Sequence, residues 1–179
     1  MSGLLEENHG KYSCMNKSLL SAGQLHVLIR ISATGTTDSI DDIVAAHRTV
    51  IKARGYVWFG MWKLRIAADR LELLKRQYDG LEPTYLYLVQ RAGKEFSVYR
   101  ATVTEISANL PPKSAHYVPG YYFDRKMLSG MGAWLKLKDF SSATQVEFER
   151  LRVSTTGRAV PELLNQSQVS FALVSSANG

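Results

Sequence analysis

Aromatic and basic side chains alternate closely in one short stretch of the chain. Tyr56, Trp58 and Trp62 would lie on one face of an extended strand, because successive side chains of a strand point to opposite faces. Lys63 and Arg65 follow immediately. Aromatic rings stack on nucleic-acid bases, and neighbouring cations attract phosphates. This spacing is therefore typical of a site that binds a base together with its phosphate backbone.

A second aromatic group lies later in the chain. Tyr121 and Tyr122 follow a loop that holds three of the five prolines, and Arg125 is close behind them. Trp134 belongs to a further segment with strand-like alternation. Tryptophans in strands usually pack in a core, and tyrosines beside a loop often just cover the end of a sheet. Gly60 leaves a gap between the two earlier tryptophans, as a ligand or a bulge requires. Together with the basic neighbours, this gap favours binding for the group as a whole.

The positive charge of the chain is concentrated in one segment. The 22 Lys and Arg residues exceed the 16 Asp and Glu residues, which gives a net charge of +6. Residues 48–76 alone carry eight basic and two acidic side chains, so the remainder of the chain is neutral. Such a segment predicts a polyanionic partner, namely DNA, RNA or a nucleotide. Two solvated helix faces are the other explanation of the same charges.

Residues suited to metal binding or covalent catalysis are sparse. Cys14 is the only cysteine, and the four histidines lack the close spacing of metal ligands: His9, His26, His47 and His116. The sequence contains neither a G-x-S-x-G motif nor a P-loop. Asp41 and Asp42 fit the first turn of a helix better than an acid–base pair. We therefore predict no metal, no cofactor and no catalytic residues, and nothing in the sequence requires an enzyme.

The overall composition is that of a water-soluble domain. Hydrophobic residues make up 45% of the 179 residues, which is enough for a core without disulfides. No segment approaches the about 20 consecutive apolar residues of a membrane span. The first 23 residues lack the compact apolar stretch of a secretory signal. We therefore expect a soluble, cytoplasmic domain with no membrane partner.

Hydrophobic periodicity predicts the elements that position these residues. Ser39 is the expected N-cap of a first helix that ends at Gly55, and Ala67 to Tyr78 marks a second helix. The predicted strands are residues 24–32, 56–62, 84–90, 95–106, 132–140, 148–154 and 169–174, with a helical turn at 160–165. This order predicts an α+β fold with a small curved, mostly antiparallel sheet or barrel and two flanking helices. Residues 1–23 are expected to form a flexible N-terminal arm, 24–174 a single domain, and 175–179 a tail or linker.

Three segments are similar to those of a known family: the aromatic segment 55–60 (GYVWFG), the hairpin strand 96–106 (FSVYRATVTEI) and the late strand 133–137 (AWLKL). Together they resemble the PUA-like superfamily of small barrels, in particular its EVE, YTH and ASCH branches. The resemblance covers roughly residues 24–174. Its implied fold is the small barrel predicted above.

The resemblance also implies a function. Members of this superfamily commonly hold a flipped or single-stranded base, often a modified one, in an aromatic pocket on the barrel surface. The corresponding pocket residues here would be Trp58, Trp62 and Trp134, with Tyr121 or Tyr122 on a covering loop. In prokaryotic defence proteins such modules can precede an effector, which makes an effector domain of a longer protein a possible partner.

Two alternatives to a nucleic-acid or nucleotide recognition domain stay open at this point. One is a protein-interaction or sensor module fused to an effector, in which the aromatic side chains pack against the partner domain. The other is a small hydrolase of the ASCH type, which needs a lysine with an acid and a hydroxyl nearby. Lys63 and Lys136 are the candidate lysines for such a site.

Overall fold

The computed structural model describes residues 23–32 and 38–176 of the chain. Nearly all of the predicted N-terminal arm and the last three residues of the predicted tail lie outside the described residues. The strands are β1 (Leu25–Arg30), β2 (Val57–Trp62), β3 (Tyr85–Ala92), β4 (Glu95–Ser107), β5 (Met131–Ser142), β6 (Leu151–Val153) and β7 (Phe171–Ser176). The helices are α1 (Ile40–Arg54), α2 (Ala68–Asp79), α3 (Tyr121–Asp124), α4 (Gln145–Arg150) and α5 (Val160–Gln166).

All seven strands of the described chain belong to one curved sheet in the order β2-β5-β4-β3-β1-β7-β6. β1 and β3 are parallel, and every other neighbouring pair is antiparallel. The predicted α+β class and mostly antiparallel sheet are therefore confirmed. The predicted barrel is wrong, because β2 and β6 remain at opposite edges of the sheet. At the free edge of β2, the N–H of Gly60 is satisfied by the Tyr122 hydroxyl rather than by another strand.

Local sequence signals account for α1. The Ser39 hydroxyl accepts a hydrogen bond from the N–H of Asp42, and the Asp42 carboxylate accepts one from the N–H of Ser39. This capping box satisfies two N–H groups at the start of the helix. Gly55 ends the helix at φ 85°, a left-handed conformation that glycine adopts without a Cβ clash. Both predicted flanking helices, α1 and α2, are present.

The later part of the chain contains more helix than the sequence predicted. Residues 148–154 were expected to form a strand, but α4 occupies Gln145–Arg150 and only Leu151–Val153 is extended. The Thr144 hydroxyl caps α4 by accepting a hydrogen bond from the N–H of Glu147 at 3.1 Å. α3 was not predicted either, whereas α5 matches the helical turn expected at 160–165, so the described chain contains five helices.

The sheet is buried on both faces. One core cluster, which includes Leu135, Leu137 and Leu74, lies between the sheet, α1 and α2. A second cluster around Leu28 and Phe148 covers the opposite face beneath α4 and α5. The alternation of residues 133–138 predicts that Ala133, Leu135 and Leu137 face the core and that Lys136 and Lys138 reach solvent. The three apolar residues are buried and Lys138 is exposed, whereas Lys136 is half-buried beside Glu105.

Replacement of a buried leucine on β5 tests this core. Leu135 is fully buried, so Leu135→Ala leaves a cavity and should lower the free energy of unfolding by about 2 to 5 kcal/mol. The matched control is Leu81→Ala, because Leu81 is 92% exposed and its side chain contributes little to the core. Urea denaturation of the three proteins gives the comparison. Equal midpoints for both variants would show that β5 is in the wrong register.

Candidate functional site

A cavity of about 420 Å³ opens at the free edge of β2. Its walls come from the end of β1, the end of β2, the start of α1 and the segment 121–127. β1 and β2 line the same cavity although β5, β4 and β3 separate them in the sheet, which is a direct consequence of the curvature. The cavity therefore lies between the edge strand β2 and the end of β1.

Trp62 is the main aromatic surface at this cavity. Its side chain lines the wall and is 42% exposed, whereas most other aromatic rings of β2 and β5 are buried. A shift in pairing register between Gly60 and Trp62 marks a bulge, which re-aims a side chain at the end of a strand. The indole lies against Gly130, where an added Cβ would come within 2.1 Å of the ring. Only glycine at position 130 leaves room for this ring position.

Lys63 places a positive charge beside that ring. Its ammonium nitrogen lies 5.5 Å from the centre of the Trp62 ring, within the range of a cation–π contact. Its backbone has φ 53°, in the left-handed region that non-glycine residues seldom adopt, and its N–H donates to the Gly130 carbonyl at 2.9 Å. Within the described chain, Lys63 forms no ion pair. Its charge is therefore available to a ligand.

Two stacked tyrosines form the opposite wall. The rings of Tyr121 and Tyr122 lie 4.5 Å apart at an angle of 23°, and both line the cavity. The Tyr122 hydroxyl accepts a hydrogen bond from the Gly60 N–H at 3.1 Å, which fixes this pair against β2. Burial raises the pKa of Tyr122 to about 12, and burial together with the neighbouring phenol raises the pKa of Tyr121 as well. Both hydroxyls are therefore protonated at neutral pH.

Three charged residues of the cavity were absent from the predicted site. Arg125 lies 5.4 Å from the centre of the Tyr121 ring and forms an ion pair with Asp38 at 2.6 Å. Arg30 also lines the cavity, and its guanidinium donates to the Ser167 carbonyl at 2.7 Å. An arginine at the end of a buried strand was a usable signal for Arg30. Asp38 precedes the N-cap of α1 and carried no comparable signal.

The other predicted aromatic residues form a separate cluster. Trp58 and Trp134 are 2% exposed and pack with Val118 and Tyr122 beneath the loop that precedes α3. Tyr56 is half-buried and stacks on Tyr117 at 4.2 Å. The predicted gap at Gly60 is filled, because the Met131 sulfur lies 2.6 Å from where a Cβ would be. The structure therefore brings Trp62, Lys63, Tyr121 and Tyr122 together at the cavity. Tyr56, Trp58 and Trp134 do not line it, and the two tryptophans pack against Tyr122 away from the cavity.

The basic residues of segment 48–76 lie in several different environments. Arg48 donates to the Phe140 carbonyl at 3.0 Å, and Arg76 pairs with Glu72 on the exposed side of α2. Lys63 faces the cavity described above, whereas the predicted site residue Arg65 lines different cavities. Basic residues that are close together in the sequence therefore lie at several different sites in the folded domain.

The requirements of an ASCH-type hydrolase are met only in part. Lys136 has an acid within reach, because its ammonium lies 3.3 Å from the Glu105 carboxylate. The same ammonium lies 4.4 Å from the centre of the Tyr56 ring. The Lys136–Glu105 pair lies beside Tyr56 and Trp58 and does not line the 420 Å³ cavity.

The part of the chain that the structure describes contains neither a cluster of metal ligands nor a membrane-spanning helix. No group of three or more His, Cys, Asp or Glu side chains there is arranged to hold a metal ion. No helix among those residues is long and apolar enough to cross a membrane.

His47 supports the tyrosine wall from α1. It is fully buried, and its ring packs near Phe59, Tyr121 and Tyr122. Nδ1 donates to the Ile43 carbonyl at 2.7 Å, while Nε2 is buried without a hydrogen-bond partner among the described residues. Burial lowers the pKa of His47 to about 4, although the hydrogen bond to Ile43 opposes the shift. The neutral imidazole is therefore the form that the fold accommodates.

Acidification should reveal this buried histidine. Its pKa is below the ordinary 6.5, so the unfolded chain binds the proton first, and stability falls as the pH drops from about 6.5 towards 4. His47→Leu should reduce the stability lost between about pH 7 and pH 4.5 by on the order of 2 kcal/mol in urea titrations. The exposed His116→Leu serves as the control. His26, whose pKa is also lowered by burial to about 4, retains its own share of the acid sensitivity in both variants. Parallel pH curves for His47→Leu and the wild type would contradict the assignment.

Comparison with known proteins identifies the fold family. A model of the Pua-like family matches residues 30–174, which include the last residue of β1, all of β2 to β6, all five helices and most of β7. No curated protein and no solved structure matched the chain. The match covers most of the sequence and confirms the resemblance stated from its aromatic and hairpin segments. The chain belongs to the Pua-like family.

Proposed function

We propose that this domain is a non-catalytic recognition domain that binds a nucleic acid and holds one base in the cavity beside Trp62. The observation that supports this function is a half-exposed indole with an unpaired ammonium beside it, at a cavity of about 420 Å³. Cavities that bind small ligands commonly measure about 300 to 1,000 Å³. The volume of the cavity therefore suits one base, and the rest of the nucleic-acid chain stays outside it.

The wall chemistry suits a planar, polar ligand. Trp62 offers a face on which any base can stack, and stacking of this kind is worth about 1 to 3 kcal/mol per base. Lys63 and Arg125 provide positive charge at the same cavity, and Asp38 provides a carboxylate that can accept hydrogen bonds from a base edge. Phe59 and Met61 supply apolar wall between these groups.

The recessed position of the cavity determines which bases are favoured. A base within a duplex must be flipped out before it can enter, at a cost of a few kcal/mol. Unpaired, damaged or modified bases avoid part of this cost. We infer a preference for single-stranded nucleic acid or for a modified base, which is also what the Pua-like family membership supports.

Removal of the indole tests base stacking directly. Trp58 and Trp134 are buried, so a change of tryptophan fluorescence on addition of a single-stranded oligonucleotide should come mainly from Trp62. Stacking should quench this emission. Trp62→Ala should lose about 1 to 3 kcal/mol of binding free energy and keep a Tm near that of the wild type, because its ring is half-exposed.

Phe123→Ala is the matched control for the indole. Phe123 is 41% exposed, close to the value for Trp62, and does not line the cavity. Its removal should leave the affinity unchanged. An equal loss in both variants would show that exposed aromatic surface in general binds the strand. Unfolding of Trp62→Ala without any response of the wild type to nucleic acid would favour the protein-interaction module, and cleavage of a nucleotide would favour the hydrolase.

Reversal of charge at Lys63 tests the electrostatic part. Lys63→Glu should weaken binding of a single-stranded oligonucleotide and lower the slope of log K against log salt by about one unit per lost phosphate contact. Lys138→Glu makes the same change at an exposed site on β5 and should have a smaller effect. Fluorescence anisotropy over a salt series measures both.

A glycine variant separates the charge from the backbone conformation. Lys63→Gly relieves the left-handed φ of 53° and should match or exceed the stability of the wild type while binding less well. Equal salt slopes for the variants at positions 63 and 138 would mean that only the overall positive charge matters.

A further inference from the structure

A second cavity, of about 410 Å³, lies between the β2–α2 connection and the strands β6 and β7. Most of its wall is apolar and includes Ile66, Val153, Leu163 and Phe171. Its polar groups are three arginines and three hydroxyl residues, namely Arg65, Arg70, Arg158, Ser154, Thr155 and Thr156. None of the described residues that line it is acidic. The chemistry of this cavity is therefore that of an anion site.

Two buried polar atoms in this wall lack partners. Nη1 of Arg70 and the hydroxyl oxygen of Ser154 are both inaccessible and form no hydrogen bond with any described residue. A buried polar group without a partner destabilises the fold, and a charged one does so more strongly. Such groups are rare in folded proteins and call for a ligand or another explanation. Both atoms belong to residues that line the same cavity.

The ion pairs around the cavity leave its charge largely uncompensated. Nε of Arg70 lies 3.6 Å from the carboxylate of Asp69, whose side chain is 72% exposed, so this contact is a weak one. Arg65 has no ion pair in the described part of the chain. Arg158, in contrast, is held by Glu162 at 3.2 Å and by Gln166 at 2.6 Å. Arg65 and Arg70 are therefore the cations that remain for a ligand.

We propose that this second cavity binds a phosphate group through the guanidinium groups of Arg70 and Arg65 and the hydroxyl of Ser154. Guanidinium groups match the geometry of phosphate oxygens in paired hydrogen bonds. The apolar wall excludes water and strengthens the ion pairs that form beside it. The Ser154 N–H already donates to the Leu173 carbonyl at 2.9 Å, which holds this residue in place for its hydroxyl to reach the anion.

The second cavity lies next to the first cavity, the one at Trp62. Leu64 lines the first cavity, and its neighbour Arg65 lines the second. Likewise, Ser170 lines the first cavity and Phe171 lines the second. Consecutive Cα atoms are about 3.8 Å apart, so the two cavities lie on either side of the same short backbone segments. A phosphate of the strand whose base stacks on Trp62 is the source that this arrangement favours. That assignment of the source rests on the proposed function, whereas the phosphate site itself does not.

Inorganic phosphate is the first probe. Sodium phosphate, compared with sodium chloride at equal ionic strength, should raise the Tm of the wild-type protein in a saturable way. Arg70→Gln should weaken phosphate binding about ten- to a hundredfold, as expected for loss of charge-assisted hydrogen bonds. Arg76→Gln is the control on the same helix, because Arg76 is 70% exposed and pairs with Glu72 outside the cavity. It should respond to phosphate as the wild type does.

A milder variant guards against a folding defect in Arg70→Gln. Ser154→Ala removes only the unpartnered hydroxyl and should also weaken phosphate binding, by a smaller factor. Absence of any phosphate-specific rise in Tm, or an equal rise in the wild type, Arg70→Gln and Ser154→Ala, would overturn the site.

An oligonucleotide with neutral methylphosphonate linkages distinguishes the two sources of phosphate. If the strand supplies the phosphate, Arg70→Gln should lower the affinity for the natural oligonucleotide and its salt slope by about one unit, and leave binding of the neutral one unchanged. If a free phosphorylated compound is the ligand, phosphate still raises the Tm, and Arg70→Gln leaves strand binding unchanged. Both results support the phosphate site.

The proposed function and the proposed phosphate site can be rejected independently of each other. Phosphate stabilisation without any quenching of Trp62 by oligonucleotides would uphold the phosphate site and reject base binding. Quenching of Trp62 without phosphate stabilisation, and without an effect of Arg70→Gln, would do the reverse.

Discussion

The hydrogen bond from the Gly60 N–H to the Tyr122 hydroxyl, at 3.1 Å, connects the edge of the sheet to the segment that forms its binding wall. β2 is an edge strand, and an unpaired N–H on a buried edge would be costly. The Tyr122 side chain satisfies that N–H and at the same time excludes another strand from the edge. Tyr121 stacks on Tyr122, and Arg125 lies over Tyr121, so the placement of the whole wall follows from this one contact.

The same contact explains why the sheet stays open. Closure of a barrel requires the edge strand to pair, whereas here a short helical segment covers part of that edge. The space left beside it becomes the cavity at Trp62. Close packing then refines its shape, because the absence of a side chain at Gly130 admits the indole and Met131 fills the space at Gly60. The candidate function thus depends on an interruption of the regular sheet.

Aromatic residues of this domain divide into supporting and accessible groups. Trp58 and Trp134 stabilise the fold by burial beneath the loop before α3, whereas Trp62 has a surface that a ligand can reach. The cations divide in a similar way. Arg158 is held by its neighbours, but Lys63 and Arg65 face two cavities on either side of the β2–α2 connection. A single-stranded nucleic acid that crosses the β2–α2 connection would contact the Trp62 ring first and the proposed phosphate site at Arg65 next.

Local sequence determined the elements whose stability is local. The capping box at Ser39 and the left-handed Gly55 fixed α1, and the alternation of Ala133, Leu135 and Leu137 fixed the inner face of β5. The aromatic and hairpin segments were also sufficient to indicate the Pua-like family. Periodicity did not distinguish α4 from a strand, because the deciding contact is a single cap at Thr144. The accessibility of each ring was likewise undetermined, since alternation alone assigns Trp58 and Trp62 to the same face of a strand. Only the tertiary structure decided between them, because the loop before α3 covers one ring and ends short of the other.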